Sequence, residues 1–406
     1  MHTSNRILVL DFGSQYTHLL ARRIRELGVF SEIHLPTVST EILKNCKGII
    51  LSGGPASVYE KDAPEFNKAI FEVGVPVLGL CYGQQLMAFA NGARIEPGKT
   101  KEYGSAELFV KKKSELFEGL SKKETVWMSH GDQIKSLPKG FGLLGSTVDC
   151  EFAAIADEQK SFFGLQFHPE VTHTKHGMKI LSNFVFKICV CKKNWSAKNF
   201  LKQKLKQTKE FVGNKKVFLL VSGGVDSTVA LALFARSISK EQIFALHVDH
   251  GFMRKGESVL VKKALDKLGL KDLHVVDASK YFFEALKGVT DPEQKRKIIG
   301  DLFVRVANNE TGKLNWESGQ WLLGQGTIYP DTIETQGTKH SARIKTHHNQ
   351  ADIIKGLSAQ GKVIEPLKDL YKDEVRVLGK LLGLPKELVW RQPFPGPGLA
   401  IRVLCS

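Results

Sequence analysis

Short apolar runs that end in turns of glycine and other small residues recur in both halves of this 406-residue chain. Residues 7–10 lead into Asp11-Phe12-Gly13-Ser14, residues 48–51 into Ser52-Gly53-Gly54-Pro55, and residues 75–80 directly into Cys81. In the second half, residues 217–221 lead into Ser222-Gly223-Gly224. A run that is apolar throughout, rather than at alternate positions, suits a strand covered on both faces. The intervening stretches have helical character: residues 16–27, stopped by Gly28, and residues 228–237, rich in Ala and Leu. Buried strands alternating with helices predict an α/β fold with two doubly wound parallel-sheet domains. Reactive groups then belong at the carboxyl ends of the strands, where these turns fall.

The length is that of two to three domains. Strands at 217–221, 243–248, 273–276 and 321–323 repeat the first half's logic. Between the halves, Lys192-Lys193-Asn194-Trp195 opens a basic helical stretch over 198–211. The expected division is a first domain at 1–190, a linker at 191–212, a second domain at 213–398 and a stub at 399–406. With 42% hydrophobic and 25% charged residues the composition is that of an ordinary globular protein. There is no signal peptide and no apolar run of bilayer length, so a cytoplasmic protein without membrane partners is expected. Six cysteines without regular spacing argue for a reducing compartment. Cys189 and Cys191 form a C-x-C with no second pair at zinc spacing, which favours buried thiols over a metal site. The net charge of +16 is spread along the chain without interleaved aromatics. It therefore suits a solvated surface or steering of an anionic nucleotide better than nucleic acid.

Gly79-Leu80-Cys81-Tyr82-Gly83 has the form of a nucleophile elbow. A helix N-terminus and a histidine beside the sulfur both favour thiolate. His168 is the candidate base and Glu170 the group that orients it. The backbone N–H of Tyr82 and one from the Gly53-Gly54 turn are the candidate oxyanion-hole donors. These residues, with Gly79–Gln85 and Phe167-His168-Pro169-Glu170, resemble the class I glutamine amidotransferases. In that family the cysteine attacks the side-chain amide of glutamine and releases ammonia. The resemblance implies that Gln85, Ser129 and His130 help to hold glutamine.

Ser222-Gly223-Gly224-Val225-Asp226-Ser227 lies between a strand and a helix. Glycines let several backbone N–H groups converge on one anion, and the helix N-terminus adds its dipole. Asp226 can help to hold Mg²⁺ bridging phosphates. Without Gly-Lys-[Ser/Thr] the loop is not a Walker A motif, so γ-phosphoryl transfer is not expected. The hexapeptide resembles the PP-loop of the ATP pyrophosphatases, which cleave ATP to AMP and pyrophosphate. That likeness implies adenine near Leu246 and Val248, with plain sheet core as the alternative for those two.

Across nearly the whole chain, further segments resemble the glutamine-hydrolysing GMP synthases: residues 246–254, Gly324-Gln-Gly-Thr-Ile-Tyr-Pro-Asp331, Ile344-Lys-Thr-His-His-Asn349 and residues 392–398. The resemblance implies glutamine, ATP and xanthosine 5′-monophosphate (XMP) as substrates. It adds Gly324 to the ATP site and puts Lys345, His347 and His348 in a lid over the synthetase site. Asp331, Lys372 and Asp373 are expected near the nucleotides. In that family a further C-terminal domain pairs subunits into a homodimer and binds the xanthosine phosphate, whereas the sequence stops at Ser406. The expectation is that glutamine hydrolysis and ATP binding are encoded here while amination of XMP is impaired without that part. A tRNA-modifying PP-loop enzyme and a non-catalytic copy are the rival readings. The first lacks a catalytic cysteine within the ATP domain, and the second sits poorly with Cys81, His168, Glu170 and Asp226 all in place.

Overall fold

The computed structural model describes residues 4–267, 269, 273–312, 320–336, 356–392 and 396–403. They divide between Ser196 and Ala197 into two compact units.

The first unit is built on β1 (Arg6–Leu10), β2 (Phe30–His34), β3 (Gly48–Leu51), β4 (Val77–Leu80), β5 (Ile95–Val110), β6 (Lys123–Ile134), β7 (Gly142–Ser146), β8 (Ala154–Asp157) and β9 (Phe162–Leu165). One sheet takes them in the order β2-β1-β3-β4-β9-β8-β7-β5-β6. The neighbours from β2 to β9 run parallel. From β9 to β6 every pairing is antiparallel. The parallel half was anticipated; the antiparallel half extends it. Its strands are joined without crossover helices, and β6 buries Val126, Met128 and His130 at alternate positions. A sheet with one face less covered needs only that alternation, which a search for continuous apolar runs passes over.

Helices α1 (Thr17–Glu26), α2 (Thr40–Lys44), α3 (Tyr82–Ala90) and α4 (Gly177–Asn183) complete this unit. α1 turns Leu20, Ala21 and Ile24 inward and ends where Gly28 adopts φ 88°. The fully buried strand residues Leu8, Leu10, Ile49 and Leu51 pack with Leu86 and Met87 of α3 in one apolar cluster.

The second unit has β10 (Lys216–Leu220), β11 (Ile243–Asp249), β12 (Leu273–Asp277), β13 (Trp321–Gly324) and β14 (Val363–Ile364), ordered β12-β11-β10-β13-β14. All four pairings are parallel. From β10 the chain moves outward one way to β12, then starts again on the other side at β13. The carboxyl end of β10 is therefore a topological switch point, the place where such sheets open a crevice. The basic stretch expected within a linker is helix α5 (Ala197–Val212), which belongs to this unit and packs on α6 (Val225–Ser237). α6 is apolar nearly all round because β10, α5 and the helix Lys372–Leu381 cover it on several sides. Among the described residues no helix is long and apolar enough to cross a membrane.

Candidate active sites

At the end of β4 the chain turns sharply into α3, and Cys81 is the turn. Its φ of 52° and ψ of −108° are rare for a residue with a Cβ. Strain of this kind costs of order 1–3 kcal/mol and persists only when the surroundings enforce it. They do: the Cys81 N–H donates to the Leu165 carbonyl at 2.7 Å and the Gly83 N–H to the Ser52 carbonyl at 3.1 Å. The flanking glycines are steric requirements. A Cβ at Gly79 would collide with the Gly83 carbonyl oxygen, and one at Gly83 would collide with that of Leu51.

The candidate base, His168, arrives from the loop after β9. The His168 N–H donates to the Trp127 carbonyl at 3.0 Å, and its carbonyl accepts from Thr174 Oγ1 at 2.6 Å. Its Nδ1 lies 2.7 Å from Glu170 Oε1, and both side chains are buried. The edge of Tyr16 packs on the imidazole, ring centroids 5.2 Å apart. Burial alone would push the imidazole pKa down. The Glu170 carboxylate and hydrogen bonds to Cys81 and Glu170 outweigh it and raise the pKa to about 10. Because that value lies above the ordinary ~6.5, the stability contributed by the charged ring is complete below about pH 6.5 and is lost as the pH rises through about 10. Glu170→Gln removes the charge that holds the proton. The alkaline limb of kcat/KM for glutamine hydrolysis should then move to lower pH, and the maximum should fall by about 10²-fold. A limb that stays in place in an ammonia-release assay would contradict this electrostatic role.

A cleft of about 730 Å³ opens over the sulfur, and Gly54, Gln85, Ser129, His130 and His168 all border it. Cys81 Sγ lies 3.4 Å from the Ser129 carbonyl oxygen. Gln85 Nε2 donates to the Asp132 carbonyl at 2.9 Å. The Tyr82 side chain instead packs in the core against Phe12, so this residue offers the cleft only its backbone. As the first residue of α3, its N–H has no partner within the helix. Sequence reasoning missed Ser14, Tyr16 and Asp132 on the cleft wall. The turn after β1 sits at a strand's carboxyl end like the other two, and that signal would have found the first two.

In the second unit, β10 runs into Ser222 and α6 begins at Val225. Gly223 adopts φ 75°, and Gly224 is the N-cap of α6. Ser222 Oγ accepts from the Gly224 N–H at 3.2 Å and lies 3.1 Å from Ser227 Oγ. Thr228 Oγ1 donates to the Gly224 carbonyl at 2.8 Å. The loop is thus held open by its own hydroxyls. Close by, Gly326 admits no side chain, since its Cβ would lie 2.9 Å from the Ser227 nitrogen.

Two adjoining cavities border this loop. One, of about 190 Å³, is lined by Ser222, Gly224, Asp226, His250, Lys372 and Arg391, among others. The other, of about 210 Å³ and mostly apolar, is bordered by Leu220, Val221, Val248, Met253 and Phe303. Asp226 Oδ2 accepts from Lys372 Nζ at 2.5 Å, while Asp226 Oδ1 is buried with no hydrogen-bond partner. Burial holds the His250 imidazole pKa below its ordinary value although Asp249 pulls the other way, so this cavity wall favours the neutral ring.

Several expected residues fall elsewhere. Leu246 is fully buried and borders neither cavity, because it lies one pleat deeper on β11 than Val248. The Cβ position of Gly324 is filled by Val217 and Phe234, so this glycine serves packing. Ser227 turns its hydroxyl to the loop itself. Asp331 Oδ2 accepts from the Ile328 N–H at 3.2 Å at the start of the helix Tyr329–Gln336, a helix-end contact, and neither Asp331 nor Asp373 borders these cavities. Lys345, His347, His348 and the residues 393–395 lie outside the described residues. Glu257, Met253 and Arg391, which sequence reasoning did not assign, line the first cavity, and Arg391 pairs with Glu257.

Residues 8–188 match the family described as glutamine amidotransferase class-I, and residues 195–302 match the family described as NAD synthase. Over 403 residues the chain is 48% identical to the GMP synthase [glutamine-hydrolyzing] of Brachyspira hyodysenteriae, covering 98% of this chain and 77% of that protein. The chain belongs to the glutamine-hydrolysing GMP synthase family. Its relative of the same description in Aquifex aeolicus is 49% identical over 400 residues, with the same coverage. Among solved structures, a putative GMP synthase protein from Thermoplasma acidophilum aligns with 47% of this family member and 96% of its own chain. Its TM-score is 0.42 and its identity 32%.

Proposed function

We propose that the chain converts XMP to GMP with glutamine as nitrogen donor and ATP as activator. The observation that carries this reading is the pairing of a strained, histidine-paired Cys81 in one unit with an anion-binding loop at a switch point in the other. Cys81 Sγ, its proton already carried by the charged His168 ring, attacks the side-chain amide carbon of glutamine. The N–H groups of Tyr82 and Gly54 receive the oxyanion. His168 then returns the proton to the leaving nitrogen, and ammonia departs. Water attacks the thioester, with His168 as base, and glutamate leaves. Glu170 holds the ring throughout, Gln85 and Ser129 hold the substrate, and His130 supports them from the cleft wall.

In the second unit, the N–H groups of Gly223 and Val225 and the Ser222 hydroxyl receive the phosphates of ATP, while the Gly224 N–H and the Ser227 hydroxyl hold the shape of the loop. Val248 and the apolar cavity beside it receive the adenine. Lys372 neutralises charge at the loop, and Lys345, His347 and His348 serve the XMP side. The C2 oxygen of XMP attacks the α-phosphorus and pyrophosphate leaves; ammonia then displaces AMP. The unpartnered Oδ1 of Asp226, buried at the helix N-terminus beside the cavity, fits a Mg²⁺ ligand. Bound there, Mg²⁺ would neutralise charge building on the departing pyrophosphate.

The test is a product balance on the purified chain: glutamate, AMP, pyrophosphate and GMP measured in one reaction with XMP, ATP and glutamine. Equal amounts of all four are expected. Glutamate release with no XMP-dependent pyrophosphate would overturn the synthetase half, and no glutamate release would overturn the first half.

A further inference from the structure

Behind the glutamine cleft, Gln85 and His130 join a buried polar network whose carboxylate, Glu102, the proposed chemistry does not use. Glu102 of β5 sits directly opposite His130 of β6 in the antiparallel register, just past an irregularity between Pro97 and Glu102. Both side chains are almost fully enclosed. His130 Nε2 lies 2.9 Å from Glu102 Oε2, and His130 Nδ1 lies 3.1 Å from the Asp132 carbonyl oxygen. Thr147 Oγ1 donates to Glu102 Oε1 at 3.0 Å. The Asp132 carbonyl also accepts from Gln85 Nε2, which lies 3.2 Å from Gln166 Oε1 as well.

The donors and acceptors in this chain can be counted. A backbone carbonyl can only accept, so His130 Nδ1 must carry a proton to meet Asp132. A bare Nε2 would then face the oxygen of Glu102, so one further proton is shared between ring and carboxyl. The imidazole is thereby gripped at both ends. Both lone pairs of the Asp132 carbonyl are used, and so are both hydrogens of Gln85 Nε2. Gln85 has only its Oε1 left to offer a substrate N–H.

We propose that Glu102 is a positioning residue for glutamine recognition, acting through His130 and the Asp132 carbonyl to fix the Gln85 amide at the cleft. It touches neither the sulfur nor His168, so it sets the affinity for glutamine rather than the rate of thiol attack. The inference rests on the proposed reading of the cleft as a glutamine site.

Two variants of similar size separate grip from charge. Glu102→Gln can donate an amide N–H to Nε2 and accept from Thr147, which keeps the ring and the Asp132 carbonyl in place without the charge. Glu102→Leu leaves Nε2 unpaired and frees the ring. Steady-state glutamine hydrolysis by the full chain should show KM within about threefold of wild type for Glu102→Gln and raised about tenfold for Glu102→Leu, with kcat within about threefold for both. Calorimetric glutamine binding in a Cys81→Ser background should show the same tenfold loss of affinity for Glu102→Leu, read on protein whose melting temperature confirms folding. An unchanged KM in Glu102→Leu, equal damage in both variants, or a fall in kcat alone would overturn the proposal. A wild-type chain that releases no glutamate would overturn the glutamine reading itself, a separate result.

Discussion

Cys81→Ser should lower glutamine hydrolysis by at least about 10³-fold while GMP formation from added ammonium salt continues near the wild-type rate. The size follows from the nucleophile. Sulfur is the stronger nucleophile, whereas a serine hydroxyl must lose its proton during the attack and the charged imidazole beside it cannot take that proton. The geometry makes the substitution clean. Serine matches cysteine closely in shape, and the hydrogen bonds that enforce the turn, to the Leu165 and Ser52 carbonyls, come from backbone N–H groups and do not involve the exchanged atom. Folding should therefore be preserved, and the loss should appear in kcat with glutamine still bound. The measurement is ammonia release set against ammonium-driven GMP formation on one preparation. Glutamine hydrolysis within tenfold of wild type would remove Cys81 from the chemistry.

Asp226→Ala should have the second large effect, on the other unit. XMP-dependent pyrophosphate release is expected to fall about 10²- to 10³-fold, with glutamine hydrolysis little altered. The carboxylate has two jobs that alanine cannot do. One oxygen holds Lys372 at the mouth of the loop, and the other is buried without a partner beside the phosphate cavity. Removing the side chain leaves Lys372 free to swing and removes the carboxylate proposed to hold Mg²⁺. Rising Mg²⁺ should restore some of the lost rate, because the defect is partly in cation affinity. Pyrophosphate release that is unaffected by the substitution would mean the loop binds ATP without this group.

The rival readings fare unequally against the fold. A tRNA-modifying PP-loop enzyme needs a reactive cysteine in the ATP-binding unit. Cys191 falls in the first unit, is buried there, and burial pushes its pKa up to about 11. Cys46 and Cys150 are likewise buried thiols pushed up to about 12, and Cys189 is raised as well, so these sulfurs are poor nucleophiles. The expected structural role of the C-x-C agrees with that burial.

What the sequence alone determined was local. A continuous apolar run followed by small residues specifies a buried strand and the turn at its end, because only such a strand tolerates apolar side chains on both faces. That was enough to locate Cys81 and the Ser222–Ser227 loop, and the two motifs carry their chemistry in consecutive residues. Tertiary structure decided everything that depends on which distant residues meet. The antiparallel half of the first sheet brings Glu102 opposite His130 and Thr147 onto Glu102, pairs separated by 28 and 45 positions. The depth of Leu246 against Val248 depends on how far each strand reaches towards the switch point. Pairing register and burial are set by the whole core at once, and no stretch of chain carries them by itself.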